Sequence, residues 1–148
     1  VTSVKDVEGL YSELFEAASV GRRHGERIAA LADQTQSRWQ TLWTIDVAPL
    51  TVPQIARRLG VSRQHILRLT GELHAEGLVE SRLNPDHKTS PLIVLTPAGE
   101  KILHRINGAG RISNQALLES LTPARIDDLR LLLHDFIRII SDEDARHI

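Results

Sequence analysis

Between Ile55 and Arg68 the chain places four arginines, Arg57, Arg58, Arg63 and Arg68, and no acid. Guanidinium groups unrelieved by carboxylates form a footprint for phosphate, and a planar guanidinium also pairs bidentately with the O6/N7 edge of guanine. Ser62, Arg63, Gln64 and His65 follow one another within the same stretch. Glutamine matches the N6/N7 edge of adenine. The 148-residue chain has a net charge of −1, which hides this patch. Residues 1–50 carry five basic and seven acidic side chains, residues 51–91 six and four, and residues 92–148 seven and eight, so only the middle is basic.

Other chemistries find little footing. With no Cys, disulfides, thiolate metal sites and thiol catalysis are excluded. The seven histidines form neither HxxxH nor HExxH, and surface or hydrogen-bonded roles are the simpler reading for them. No phosphate-loop, dinucleotide or nucleophile-elbow glycine pattern is present, so neither an enzyme nor a cofactor is expected. Apolar runs such as Leu92–Leu95 fall far short of the roughly 18–20 residues that cross a bilayer. The opening VTSVKDVEGL lacks a basic-then-apolar secretory pattern, and a cytoplasmic location is the expectation.

The elements that must position the arginines are written in caps and periodicities. Val4, Val7, Leu10, Leu14, Ile28 and Leu31 recur at helical spacing and predict one long N-terminal helix, in which Gly21 and Gly25 either produce a kink or admit another backbone. A second helix begins at Thr35 or Ser37 with Trp39, Leu42, Trp43 and Ile45 inward. Thr51 with Gln54 makes a capping box, Pro53 sits in the first turn, and Gly60 closes a short helix. Ser62 caps the next, with Ile66, Leu69 and Leu73 on one face and Gly77 at its end. Two helices joined by Gly60-Val61-Ser62 make a helix-turn-helix, with Ile55, Leu59, Val61, Ile66 and Leu69 at the crossing and Ala56 and Gly60 at the closest approach. Leu78–Arg82 and Leu92–Leu95 flank Asn84-Pro85-Asp86 as a β-hairpin, or wing. Thr96-Pro97 and Thr122-Pro123 restart helices. The last runs to about Ile140, with Asp142-Glu143-Asp144 as its solvated tail. Its stripe of Ile126, Leu129, Leu133, Phe136, Ile137 and Ile140 demands burial, as do the apolar positions of the first helix. Pairing with a second copy of the chain is the economical solution.

The run from Leu50 to Leu103 resembles the MarR family of winged helix-turn-helix regulators, in the pieces LGVSRQ, GLVE, NPDHK and LTPAGE. The fold class expected is mainly α with a small β-hairpin wing, residues 35–103 forming the winged helix-turn-helix and residues 1–33 and 104–148 supplying dimerisation helices. The resemblance implies a homodimer on a palindromic double-stranded DNA operator, usually a repressor released by a small, often aromatic, effector. Carried over by position, the recognition helix starts at Ser62, with Gln64 and Arg68 toward bases, Ser62 and Arg63 toward phosphates, and His65 and Arg57 beside them; each is otherwise a solvated surface residue. Leu67 replaces a small polar residue, and either touches a thymine methyl or reads nothing. The family's Asp-Arg-Arg at the wing falls on His87, Lys88 and Thr89, so Lys88 remains to neutralise a phosphate, with His87 beside it.

The resemblance also implies an effector lodged where the second helix meets the dimerisation region. Trp39 and Trp43, one turn apart, would stack on an aromatic compound, and Arg22 or His24 would pair with its acid group. Core packing of both tryptophans is the alternative. A winged-helix module that binds protein instead of DNA is the rival to the whole reading; the acid-free arginine segment favours DNA.

Overall fold

The computed structural model describes residues 1–147. Ser3 opens α1 (Val4–Ala30): Asp6 N–H donates to its hydroxyl, and the Ser3 backbone N–H and hydroxyl donate back to the Asp6 carboxylate. Those bonds favour the ionised form and hold the Asp6 carboxyl below its usual range. Thr35 caps α2 (Gln36–Val47), and Thr51 and Gln54 cap α3 (Val52–Leu59) reciprocally, with Pro53 in the first turn. Gly60 ends α3 with φ +65, and Ser62 accepts from His65 N–H to start α4 (Arg63–Ala75). Gly77, with φ +73, then turns the chain into β1 (Val79–Arg82).

Strand β1 pairs antiparallel with β2 (Leu92–Leu95) in the register Val79↔Leu95 to Arg82↔Leu92. The other edge of β2 is partly closed by Leu50, whose carbonyl accepts from Ile93 N–H at 2.8 Å. Both Ile93 and Val94 are buried. Helix α5 (Pro97–Ser113) follows Thr96, whose backbone N–H donates to Leu78 O and whose hydroxyl donates to Gly77 O. The wing's base is thereby tied to the start of α5. Gly99 completes the knot, since a Cβ there would lie 2.0 Å from the Leu78 carbonyl oxygen.

The main core lies under the helix-turn-helix: Leu42, Ile45, Ile55, Ala56, Ile66, Leu69, Leu73, Leu78, Val79, Ile93 and Leu103 form one cluster. A smaller one joins Ile28, Ala32 and Ile106, and Trp39 packs against both. Contacts divide the chain into two compact units, Val1–Gly110 and the segment from Arg111 onward. The second holds α6 (Gln115–Ser120) and α7 (Pro123–Arg146), neither with a buried residue. No helix among the described residues is long and apolar enough to cross a membrane.

The mainly α architecture with a two-stranded wing is the one expected, with corrections of detail. Trp43 is 58% exposed, not inward, because α2 buries Thr41, Leu42, Thr44 and Ile45. Val61 is 42% exposed, since the tight turn carries it out of the helix crossing. Gly60 is needed for its left-handed backbone and not for closeness, as a Cβ there would meet nothing within 4 Å. At Gly25 the close neighbour is a side chain, with Gln36 Cγ 2.8 Å from a built Cβ, whereas Gly21 faces open space. Helix α7 runs past Ile140 to Arg146, because charged residues paired at i, i+3, such as Arg146 with Glu143, continue a solvated helix after its apolar stripe ends. That stripe is open to solvent within the single chain: Ile126 is 37%, Leu129 53%, Leu133 37% and Ile137 59% exposed.

The two structural glycines should respond differently to a methyl group. Gly60→Ala meets only the strain of a left-handed L-residue and should cost about 1 kcal/mol. Gly99→Ala drives a Cβ into a backbone carbonyl that cannot swing aside, and should cost about 3 kcal/mol or more. Urea unfolding of both variants checks the order; equal midpoints would contradict the knot at the wing's base.

Candidate nucleic-acid interface

Helix α4 has two unlike faces. Ile66, Leu69, Thr70 and Leu73 are buried beneath it, Thr70 turning its hydroxyl back to the Ile66 carbonyl at 2.8 Å. At roughly 100° per residue the opposite sector belongs to Gln64, with Arg68 and Leu67 on its two sides. All three are exposed. Ser62, Gln64, His65, Leu67 and Arg68 line one shallow hollow of about 560 Å³. The Ser62 hydroxyl oxygen is occupied in capping, which leaves its proton to donate outward.

A second hollow, of about 730 Å³, lies where the start of α3, the start of α4 and the wing meet. It brings together Arg57, Arg63 and His87, residues remote in sequence, with Asp86 as the acid among them. Asn84 holds the wing's turn: its amide donates to Ser90 O at 2.9 Å, and its side-chain oxygen accepts from Asp86 N–H at 3.1 Å. The Asn-Pro-Asp order marks Asn84 as a turn residue, and the structure adds the bond that ties it to Ser90. His87 Nδ1 lies 3.1 Å from Thr89 Oγ1, and Lys88 is exposed.

Two ion pairs frame α4. Arg68 donates to Glu72 Oε1 at 2.7 Å one turn along, both side chains largely in water. Arg38, mostly buried on α2, reaches Glu76 at the end of α4 with both terminal nitrogens, one at 2.9 Å from Oε1 and the other on Oε2. The Arg38 hydrogen bonds, helped by its charge and opposed by partial burial, keep the Glu76 carboxyl below its ordinary range.

The residues expected to face an effector are not equivalent. Trp39 is half-buried, and its indole N–H donates to Asn107 Oδ1 at 3.0 Å. Trp43 and Arg22 are exposed. His24 is half-buried and accepts from Arg27 Nη2 at 3.2 Å. Among the described residues no group of three or more His, Asp or Glu is placed to hold a metal.

The sequence profile of the MarR family matches residues 33–88. An uncharacterised protein of Mycobacterium tuberculosis is 41% identical over 138 residues, spanning 93% of this chain and 96% of its own length. The chain belongs to the MarR family. Its fold is that of solved MarR-family transcription regulators. A mutant MarR from E. coli complexed with operator DNA superposes with a TM-score of 0.72 at 22% identity, covering 91% of this chain and 99% of the other. CouR from Rhodococcus jostii, bound to p-coumaroyl-CoA, does so with a TM-score of 0.75 at 16% identity, covering 92% and 95%.

Within this MarR-family chain, Glu72 is the acid that pairs with the outward Arg68 of α4. An exposed i, i+4 pair is worth about 0.3–0.5 kcal/mol, so exchanging the Glu72 carboxylate for a nucleic-acid partner costs Arg68 little. Glu72→Gln should therefore raise affinity for duplex DNA about two- to fivefold, on selected and random sequences alike, since it removes a charge that phosphates repel. Fluorescence anisotropy at two salt concentrations checks this, with the gain shrinking as salt rises; weaker binding by Glu72→Gln would show that the carboxylate serves the interface.

Proposed function

We propose that the protein is a sequence-specific DNA-binding transcriptional regulator that acts as a homodimer on a palindromic operator, as a repressor relieved by a small aromatic effector. The observation that carries the DNA reading is the pair of unlike faces on α4. Its buried side is committed to the core, while Gln64 and Arg68 stand outward beside Ser62, Arg63 and His65. Arg57, Arg63 and His87 gather at the adjoining hollow, where a phosphate strand would run from the helix toward Lys88 on the wing. Gln64 and Arg68 read bases; Ser62, Arg63 and Lys88 fix register.

The homodimer reading rests on apolar surface that one copy leaves in water. On α1, Val4 is 76% and Phe15 70% exposed, and the α7 stripe adds Leu129 and Ile137. Faces of this kind mark association, and a closed pair with two-fold symmetry would set two recognition helices roughly 34 Å apart, one turn of DNA. Light scattering should show a dimer at micromolar concentration, and operator affinity should fall steeply with salt. In that assay Arg68→Ala should cost about 1–3 kcal/mol on the operator and relax base preference at one position per half-site. Lys88→Ala should weaken operator and random DNA equally. A stable monomer with salt-insensitive or absent DNA binding would instead favour a protein-binding winged helix.

The effector reading is supported by the p-coumaroyl-CoA on the CouR neighbour and by the exposed ring of Trp43 one turn from Trp39, with Arg22 and His24 on α1 as partners for an acid group. An aromatic carboxylate should quench tryptophan fluorescence and weaken operator binding over one concentration range, as reciprocal coupling requires. Quenching that leaves operator affinity unchanged would remove the compound as a regulator.

A further inference from the structure

Leu67 is 63% exposed in the middle of α4, while its neighbours Ile66 and Leu69 are nearly inaccessible. It lines hollows on both flanks of the helix, one with Gln64, His65 and Arg68, the other with Thr70, Gly71, His74 and the wing residue Thr89. An apolar side chain left in water at the centre of a polar recognition surface adds nothing to the core.

Gly71 leaves the helix surface next to Leu67 uncovered. Helical side chains lean toward the N-terminus, so a side chain at position 71 would occupy the surface between its own turn and Leu67. A Cβ built on Gly71 meets nothing within 4 Å, and its backbone is not among those with positive φ. Glycine inside a helix costs stability relative to alanine, and here neither a turn nor a close contact within the chain accounts for it. The room it leaves is for something outside the chain.

We propose that Leu67 is a specificity-determining residue that receives the 5-methyl group of a thymine, in a slot that Gly71 keeps open. The thymine methyl is the apolar feature that base edges present in the major groove, beside donors and acceptors suited to Gln64 and Arg68. Leu67 sits about 60° around the helix from Gln64, so a thymine neighbouring the bases those residues read falls within its reach. This inference rests on the DNA-binding reading.

The test starts from operator duplexes selected by the protein from a random-sequence pool. Each thymine of a half-site is replaced singly by deoxyuridine, which removes one methyl and leaves every hydrogen-bonding group in place. One position per half-site should lose affinity roughly fourfold, the worth of one buried methyl. In Leu67→Ala that replacement should have no effect, while the base preference set by Arg68 persists. Gly71→Ala should raise the melting temperature and yet abolish the preference for thymine over deoxyuridine, an opposition that a purely structural role would not produce. Deoxyuridine replacements that are all silent in the parent protein, or a penalty that survives in Leu67→Ala, would overturn the proposal and leave DNA binding intact. A selection that enriches no sequence would overturn the DNA-binding reading and this inference together.

Discussion

The burial of Ile66, Leu69, Thr70 and Leu73 along one side of α4 is the constraint on which the rest of the winged region depends. Once Ile66, Leu69 and Leu73 lie against Ile55, Leu42 and the base of the wing, with Thr70 buried on the same side, the rotation of the helix about its axis is set. A turn of about 100° about its axis, in the sense that carries each preceding residue inward, would exchange Leu69 for Arg68 and Leu73 for Glu72, at several kcal/mol for the unpaired polar groups alone. The direction of Gln64 and Arg68 is thus a consequence of apolar packing on the other side of the same helix. The wing is aimed by the same cluster, through Val79 and Ile93.

Charge acts on this frame at two strengths. The Arg38 and Glu76 pair spans two helices, is partly shielded from water, and uses both terminal nitrogens of the guanidinium, so it braces the exit of α4 against α2. The Arg68 and Glu72 pair lies within one helix and in solvent, where screening leaves it weak. One pair suits a joint that must persist and the other a side chain that must change partners.

Local signals were legible in the sequence wherever a few adjacent residues settle their own conformation. Thr51 with Gln54, the left-handed Gly60, Ser62, and the Thr-Pro starts of α5 and α7 all stand where their chemistry puts them, because a cap or a φ angle is satisfied within four residues. What escaped depends on contacts that no window of sequence contains. Trp43 carries the apolar signature of an inward residue, yet the sector of α2 that meets the core passes it by. Gly99 reads as an ordinary helix residue until the Leu78 carbonyl arrives beside it from twenty-one residues upstream. The gathering of Arg57 and Arg63 with His87 required the hairpin's placement, and the Arg68 pairing required a choice among partners that spacing alone does not make. Short α6 lacks both a side-chain cap bond and a buried face, the two features by which a helix announces itself.

On the proposed DNA-binding reading, the division of labour between the faces of α4 separates the right to fold from the choice of target. Gln64, Leu67 and Arg68 contribute little to the core, and substitutions at such exposed positions typically shift stability by no more than about 0.5 kcal/mol. A duplicated copy of this chain is therefore free to drift toward a new target through single steps that never cross the threshold for folding. On that reading the helix is an exchangeable cassette: rewriting its outer residues, with Ile66, Leu69, Thr70 and Leu73 kept, is the conservative route to retargeting the scaffold.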